Sequence, residues 1–405
     1  MGSMDLRYSE EYERFRSEVK GFLTENWPLE GEEAKLDFNQ QAVLFRDRAI
    51  EAGYVARAIP RRYGGSEQPP DVLKSTIIDE EFRKVFAPGE MRGIGPSMLV
   101  PTLLEHGAPW QKEKFIPPTI RGDMTWCQGY SEPGAGSDLA SLRTRAVLDG
   151  DEWVVTGQKI WTTAAHLTDY MFCLCRTEPD APKHAGISYI LIDMKSEGIE
   201  VRPLTTMTGQ ADFNEVFFND VRVPASNIVG ERGKGWIVSR STLKHERSMI
   251  GSFEGVVAQY QGLVALAKSV KRNGRPAIED PHIRQRLVEI EGWVEAHRYS
   301  GYRQLTLAAR GQDAGVLGMM TKLNSTCIGN RVATLAQDLI DDMGLLAPMA
   351  SDPLPAQAVL AKGWAVYFMW SIGIAIAGGT ANIQRNVIAE RGLGLPRDRA
   401  ADAEK

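Results

Sequence analysis

From about Ser9 to Arg121, apolar positions recur at helical spacing: Phe15, Val19 and Phe22, then Val43, Leu44 and Ala49. Breaks containing proline, at Ile59-Pro60, Gln68-Pro69-Pro70 and Ala87-Pro88-Gly89, separate the helices. From Met124 to about Gly230 the pattern becomes that of strands. Thr144-Arg-Ala-Val-Leu148 meets Glu152-Trp-Val-Val155 across Asp149-Gly150-Asp151, a hairpin signal. Further strand-like runs start at Tyr170, Ile187, Ile199 and Asn214, spaced as in a small antiparallel barrel or sandwich. After Gly235 the helical period returns. Met249, Phe253, Val256, Tyr260, Leu263, Ala267 and Val270 form one apolar stripe. Further helices are expected over about Pro281–Arg310, Val316–Met343, Pro355–Ala377 and Ala381–Arg391. This order predicts an α+β fold in three parts: an N-terminal α-helical domain (4–123), a middle antiparallel β-barrel domain (124–234) and a C-terminal four-helix bundle (235–405) that would form an oligomer core.

Composition narrows the function classes. The 405 residues are 43% hydrophobic and 24% charged, an ordinary globular balance. A net charge of −5 gives no electrostatic case for nucleic acid. The most apolar stretch, Trp364 to Ala377, is shorter than the ~18 residues of a membrane span and contains Gly373. No signal peptide is expected, because charge begins at Asp5; Met1-Gly2-Ser3 resembles a cloning scar. Of the four cysteines, Cys127, Cys173, Cys175 and Cys327, the middle pair alternates within an apolar run and so shares a face. None has C-x-x-C spacing, and His166 and His184 stand at no ligand-like distance in sequence, so no metal site is expected. Buried, reduced thiols point to a cytoplasmic protein.

Four ordered segments carry a family resemblance. They are Tyr130-Ser-Glu-Pro-Gly-Ala-Gly-Ser-Asp138, Gly157-Gln-Lys-Ile-Trp-Thr-Thr163, Val221-Arg-Val-Pro-Ala-Ser-Asn-Ile-Val-Gly230 and Gly379-Thr-Ala-Asn-Ile-Gln-Arg385. In this order, over nearly the whole chain, they resemble the signatures of acyl-CoA dehydrogenases. The turn Pro133-Gly-Ala-Gly136 also has a physical reading, since its glycines let the backbone approach a phosphate. The resemblance implies FAD as cofactor. Ser137 would bond its pyrophosphate beside Gly136. Ser131 would bond the flavin ring, with Gln128 and Tyr130 lining it through backbone or side chain. Trp161 would pack on the isoalloxazine and Thr163 would bond its N5 edge. Thr380 and Asn382 fall at further FAD contacts, just before a helix whose unpaired N–H groups suit an anion.

The implied reaction removes the α-hydrogen of an acyl-CoA as a proton and the β-hydrogen as a hydride to flavin N5. A carboxylate must take the proton while the thioester oxygen is hydrogen-bonded. Most members carry that Glu just before the Gly-Thr of the last motif, where this chain has Gly378. A minority place the base on the long helix after the strand domain, as Glu-Arg. Here that position reads Leu243-Lys-His-Glu246-Arg247. Glu246 is therefore the expected base and Arg247 its neighbouring cation, while Gly378 would offer its backbone N–H to the thioester oxygen.

Two segments depart from the family. An Arg-x-x-Phe-Gly turn and a Gln-x-x-Gly-Gly motif normally complete a neighbouring subunit's FAD. Here these regions read Val270-Lys-Arg-Asn-Gly-Arg-Pro276 and Asp338-Leu-Ile-Asp-Asp-Met-Gly344. Asp341 and Asp342 would repel a pyrophosphate, and Met369-Trp370 replaces an expected Arg-Asp pair. These departures predict an α2β2 assembly with a paralogous acyl-CoA dehydrogenase subunit, or else a homo-oligomer with an altered site. The gap at Gly378 favours a bulky or branched acyl chain. Electron-transfer flavoprotein is the electron acceptor implied by resemblance. Rival functions are a non-catalytic partner subunit and an oxygen-using flavin oxidase or monooxygenase.

Overall fold

The computed structural model describes residues 8–345 and 356–396; the side chains of 247–250 and 356–361 lie outside the described set. The N-terminal part packs α1 (Glu10–Asn26), α2 (Phe38–Glu51), α3 (Val72–Lys84), α4 (Val100–His106) and α5 (Pro109–Arg121). Asp37 and Asp71 start α2 and α3 by accepting hydrogen bonds from the first-turn N–H groups, as good caps do.

The strands follow. They are β1 (Trp126–Gly129), β2 (Arg145–Asp149), β3 (Glu152–Thr163), β4 (Tyr170–Arg176), β5 (Ile187–Asp193), β6 (Ile199–Leu204), β7 (Phe213–Pro224) and β8 (Ile228–Val229). The β2–β3 hairpin turns at Gly150, whose φ of 63° is one that glycine adopts freely. The expected small barrel takes the form of an eight-stranded sheet in the order β6-β7-β3-β2-β4-β5-β8, with β1 alongside β4. Most pairs are antiparallel, but β1 and β2 each meet β4 in parallel.

The C-terminal part comprises α6 (Gly235–Ile250), α7 (Phe253–Ser269), α8 (Pro281–Ala309), α9 (Val316–Ile340), α10 (Ala356–Ile374) and α11 (Ala381–Val387). The apolar stripe expected to run unbroken through Met249 and Phe253 is interrupted at Gly251-Ser252. Ser252 starts a new helix by accepting from the Gly255 N–H, and His297 of α8 bonds the Gly251 carbonyl at 3.1 Å. Serine competes with the helix interior for backbone donors, so a helix restarts there more readily than it continues.

One core joins the N-terminal helices to the sheet and to α6, through Phe45, Phe115, Tyr130, Phe172, Tyr189 and Val238. A second fills the sheet, and a third lies among α7, α8 and α9. Helix α6 is pressed onto β5 at its first residue: a Cβ on Gly235 would stand 2.4 Å from the Ser188 carbonyl carbon and 2.5 Å from the Tyr189 nitrogen. Val238 and Thr242 are buried, and Glu246 follows four residues later on the same face. Gly235→Ala should therefore push α6 off β5, costing about 1–3 kcal/mol as overpacking does. Denaturant unfolding should show a lower midpoint with an unchanged slope.

Candidate active site

The first two motifs are bound to each other by a buried ion pair. Lys159, inward-facing on β3 and with no exposed surface, donates to Glu132 Oε1 at 2.8 Å and to the Tyr130 carbonyl at 3.1 Å. Glu132 also accepts from the backbone N–H groups of Arg143 and Thr144, at 2.6 and 2.8 Å. Burial pushes the Glu132 pKa up, but Lys159 and the N–H donors outweigh it and hold the carboxyl below its usual value. The Ile160 N–H adds a bond to the Ser131 carbonyl at 2.9 Å. Ser131 is thus fixed beside the Ile160-Trp161 segment.

Beyond Glu132 the chain makes a tight turn, with reciprocal backbone bonds between Glu132 and Ala135. Gly134 and Gly136 face open space: a Cβ built on either has no atom within 4 Å. Ser137 is exposed next to them, and Lys183 reaches Asp138 at 2.7 Å across the turn. The arrangement is an open backbone cradle with one cation at its side.

Trp161 sits where the β3–β7 register shifts between Lys159 and Thr162. Its φ is 60°, a left-handed conformation costing on the order of 1–3 kcal/mol for a side chain of this size. This bulge turns the indole outward, 59% exposed, with its edge against Phe213 at 6.1 Å. Phe213 in turn meets Trp370 of α10 at 6.0 Å. Thr163 ends β3 exposed, while the Thr162 hydroxyl is buried without a hydrogen-bond partner. An open glycine turn and an outward indole on a strained bulge fit a flavin dinucleotide lying along this edge. Gln128, on β1, is half-buried and aligned with Phe172 of β4.

Tyr130 is placed differently from a simple flavin-lining residue. Its ring is 4% exposed, packed edge-on to Phe172 and Tyr189. Its hydroxyl lacks a hydrogen-bond partner. Burial, then Tyr189 and the charge of Glu246, push the phenol pKa well up. The Tyr130 side chain therefore turns into the core, in electrostatic reach of Glu246, and its backbone leads into the glycine turn.

Glu246 is half-buried on the inward face of α6. Its charge is felt by Lys322, which projects from α9 and is 1% exposed. Lys322 donates to the carbonyls of Ala375 at 2.9 Å and Gly379 at 2.8 Å. Those bonds straddle Gly378, where φ is 62°, followed by Gly379 at 94°. Gln384 adds a 3.0 Å bond to the Gly378 carbonyl. So Lys322 anchors the Gly378 turn and lies in electrostatic reach of Glu246 on α6, the two elements expected to meet at the substrate. Thr380 caps α11 by accepting from the Ile383 N–H at 3.4 Å, and Asn382 is exposed, accepting from Arg385. The Arg247 side chain lies outside the described residues.

The departing segments also have a form. Residues 271–276 make a two-stranded hairpin turning at Asn273-Gly274, both at positive φ. Asp341 and Asp342 are exposed in a short turn after α9.

Sequence reasoning singled out neither Lys159, Glu132, Lys322 nor Gln384 for a role. The signal was present for the first two, since each lies inside a quoted motif. Gln384 likewise lies inside the last motif, whereas Lys322 carries no such mark.

Fold and site together define an acyl-CoA dehydrogenase, and the chain belongs to that family. The family's N-terminal domain matches residues 9–123, its middle domain 127–221 and its C-terminal domain 233–393. The acyl-CoA dehydrogenase IpdE1 of Mycobacterium tuberculosis is 35% identical over 96% of this chain and 99% of its own length. FadE34 of the same organism is 38% identical over 94% of this chain, which spans 50% of that relative. Among solved structures, the Tcur3481–Tcur3483 steroid ACAD superposes with a TM-score of 0.77 at 29% identity, over 98% of this chain and 100% of that one. The ChsE4–ChsE5 complex from Mycobacterium tuberculosis gives 0.75 at 28% identity, over 98% and 100%. The chain is accordingly an enzyme of the FAD-dependent acyl-CoA dehydrogenase class.

Removing Lys159 alone leaves a buried carboxylate unpaired. Lys159→Met should cost about 3–5 kcal/mol, and Glu132→Gln in the same chain should restore part of it. The folded pKa of Glu132 is depressed. Its contribution is therefore present above the unfolded value, about 4.3, and is lost as pH falls through the folded one. Unfolding of the four forms of this double-mutant cycle at pH 7 and pH 4 would measure both effects, with the coupling smaller at pH 4.

Proposed function

We propose that Glu246 is the base that removes the α-proton of the acyl-CoA, and that the substrate is a bulky acyl chain of steroid side-chain type. The observation that supports the base most directly is its seat: an inward-facing carboxylate in electrostatic reach of the lysine that anchors the Gly378 turn. A carboxylate on the solvated face of α6 would have no such neighbour.

The chain's own groups divide the work. Trp161 and the backbone from Tyr130 to Ser137 would hold the flavin, with Thr163, Thr380 and Asn382 as further contacts. When bound, the flavin supplies an acceptor for the β-hydride. Glu246 takes the proton. The Gly378 N–H is the proposed donor to the thioester oxygen, where charge builds as that proton leaves. Arg247 follows the base in sequence and is proposed to help position it.

The steroid ACAD and the two-protein complex among the structural neighbours support a bulky substrate and a paralogous partner. Exposed Asp341 and Asp342, with a hairpin at 271–276, support the same reading, because a carboxylate pair is a poor seat for a second subunit's pyrophosphate. The proposed assembly is α2β2, with electron-transfer flavoprotein as acceptor. Among the described residues no helix is long and apolar enough to cross a membrane; a cytoplasmic location is proposed.

Glu246→Gln should keep bound flavin and lower its reduction by a bulky acyl-CoA by at least ~10²–10⁴-fold, the range of a positioned base. Stopped-flow bleaching of the flavin would measure it, and wild-type rates in the variant would remove Glu246 from the mechanism. Flavin absorbance per chain tests the assembly. Low occupancy alone that rises on co-expression with a paralogue is expected; full occupancy alone would end the requirement for a partner.

A further inference from the structure

We propose that Lys322 is a positioning residue for the dehydrogenation, fixing the Gly378 turn through two carbonyls and setting a positive charge opposite Glu246. This rests on the reading of Glu246 as base.

A lysine almost never lies fully buried unless its charge is answered. Lys322 is 1% exposed, and its ammonium is answered unusually. Two of its three N–H donors go to carbonyls of one turn, Ala375 and Gly379, four residues apart in sequence. Gly378, between them, and Gly379 itself adopt left-handed backbone, which reverses the chain within two residues. Such a turn has several ways to orient its peptide planes, and each orientation aims the N–H groups differently. Holding the carbonyls on either side removes that freedom. Gln384, buried, clamps the Gly378 carbonyl as well. Peptide planarity then carries the constraint to the N–H groups of Ile376, Gly379 and Thr380, whose peptides flank the one that bears the Gly378 N–H. Lys322 is therefore a group from the bundle that holds the peptides on both sides of the Gly378 N–H.

The same ammonium acts on the base. Burial lowers the Lys322 pKa, and Glu246 is the first influence that raises it again. Reciprocally, the ammonium favours the ionised form of Glu246. Of the basic groups on α6 itself, Arg240 and Lys244 are exposed, and Arg247, whose side chain lies outside the described residues, adjoins Glu246 in sequence. Tyr130 and Tyr189 are buried phenols held neutral by desolvation. Glu105 of α4 is engaged by His106, His245 and Ser241. Residues 95–99 contribute none, and Cys327 lies on α9 with Lys322. Lys322 is a buried cation on a packed element, in electrostatic reach of Glu246.

The test uses the flavin-loaded protein, with its paralogue if loading requires one. The rate of flavin reduction by acyl-CoA is followed against pH in single turnover. Lys322→Met should slow reduction by about 10²-fold, as a small misplacement of reacting groups does. It should also move the rising limb of the profile to higher pH, by about one unit. Lys322→Arg, which keeps the charge, should leave the limb in place even if the rate falls. Lys322→Gln, which keeps donors without charge, should shift the limb as Met does and serves if Met fails to fold. An unmoved limb in the uncharged variants, or an equal shift in Arg, would overturn the proposal. Glu246→Gln separates the two readings: if it reduces flavin normally the base assignment fails, whereas an unmoved limb with an inactive Glu246→Gln defeats only the role of Lys322.

Discussion

A lysine ammonium held away from water must be neutralised where it stands, and Lys159 meets that demand with Glu132 from a different stretch of chain. The pair does more than cancel charge. Because Lys159 alternates inward on β3, its neighbours Ile160 and Trp161 are fixed relative to the sheet. Because Glu132 also accepts two backbone donors from the segment entering β2, the glycine turn is anchored at its root. The open cradle and the outward indole keep a constant separation only while this pair is intact. The flavin as proposed would span both, so the geometry of that edge depends on one contact buried beneath it.

The second half of the site is built on the same principle from another part of the chain. Glu246 reaches the centre because Val238, Thr242 and Glu246 fall four residues apart on a helix pressed against β5. The Gly378 turn reaches it because a lysine and a glutamine hold its carbonyls. The proposed base and the proposed oxyanion donor sit on separate elements far apart in sequence. Their spacing is set by packing of α6 against α9. The ring chain Trp161–Phe213–Trp370 joins the flavin edge to α10 at the position where the family has an Arg-Asp pair, replacing charge by aromatic contact.

Much of this was legible in the sequence. Alternation and the Asp149-Gly150 turn marked the β2–β3 hairpin, and four motifs in order marked the family. The exchange of Glu246 for Gly378 points to the proposed base because a missing functional group is as visible as a present one. Three things were not legible. Periodicity counts Lys159 and Lys322 as polar and therefore as surface, whereas both are buried by partners distant in sequence. The bulge at Trp161 depends on register with β7, which no local pattern states. The break at Gly251-Ser252 interrupts a stripe whose spacing continues across it, since helical phase survives where the hydrogen-bonded ladder does not.

The exposed indole on its strained bulge has a consequence for the protein's life before it works. A large apolar ring in water on a strained backbone is a shape made for a ligand, and the unloaded chain keeps both costs. A flavin that covers the ring binds the folded form and not the unfolded one, so the folded population rises with the concentration of free cofactor. Flavin supply would then govern the abundance of the enzyme as well as its turnover, and starvation for the vitamin precursor would be felt first as degradation of the empty chain.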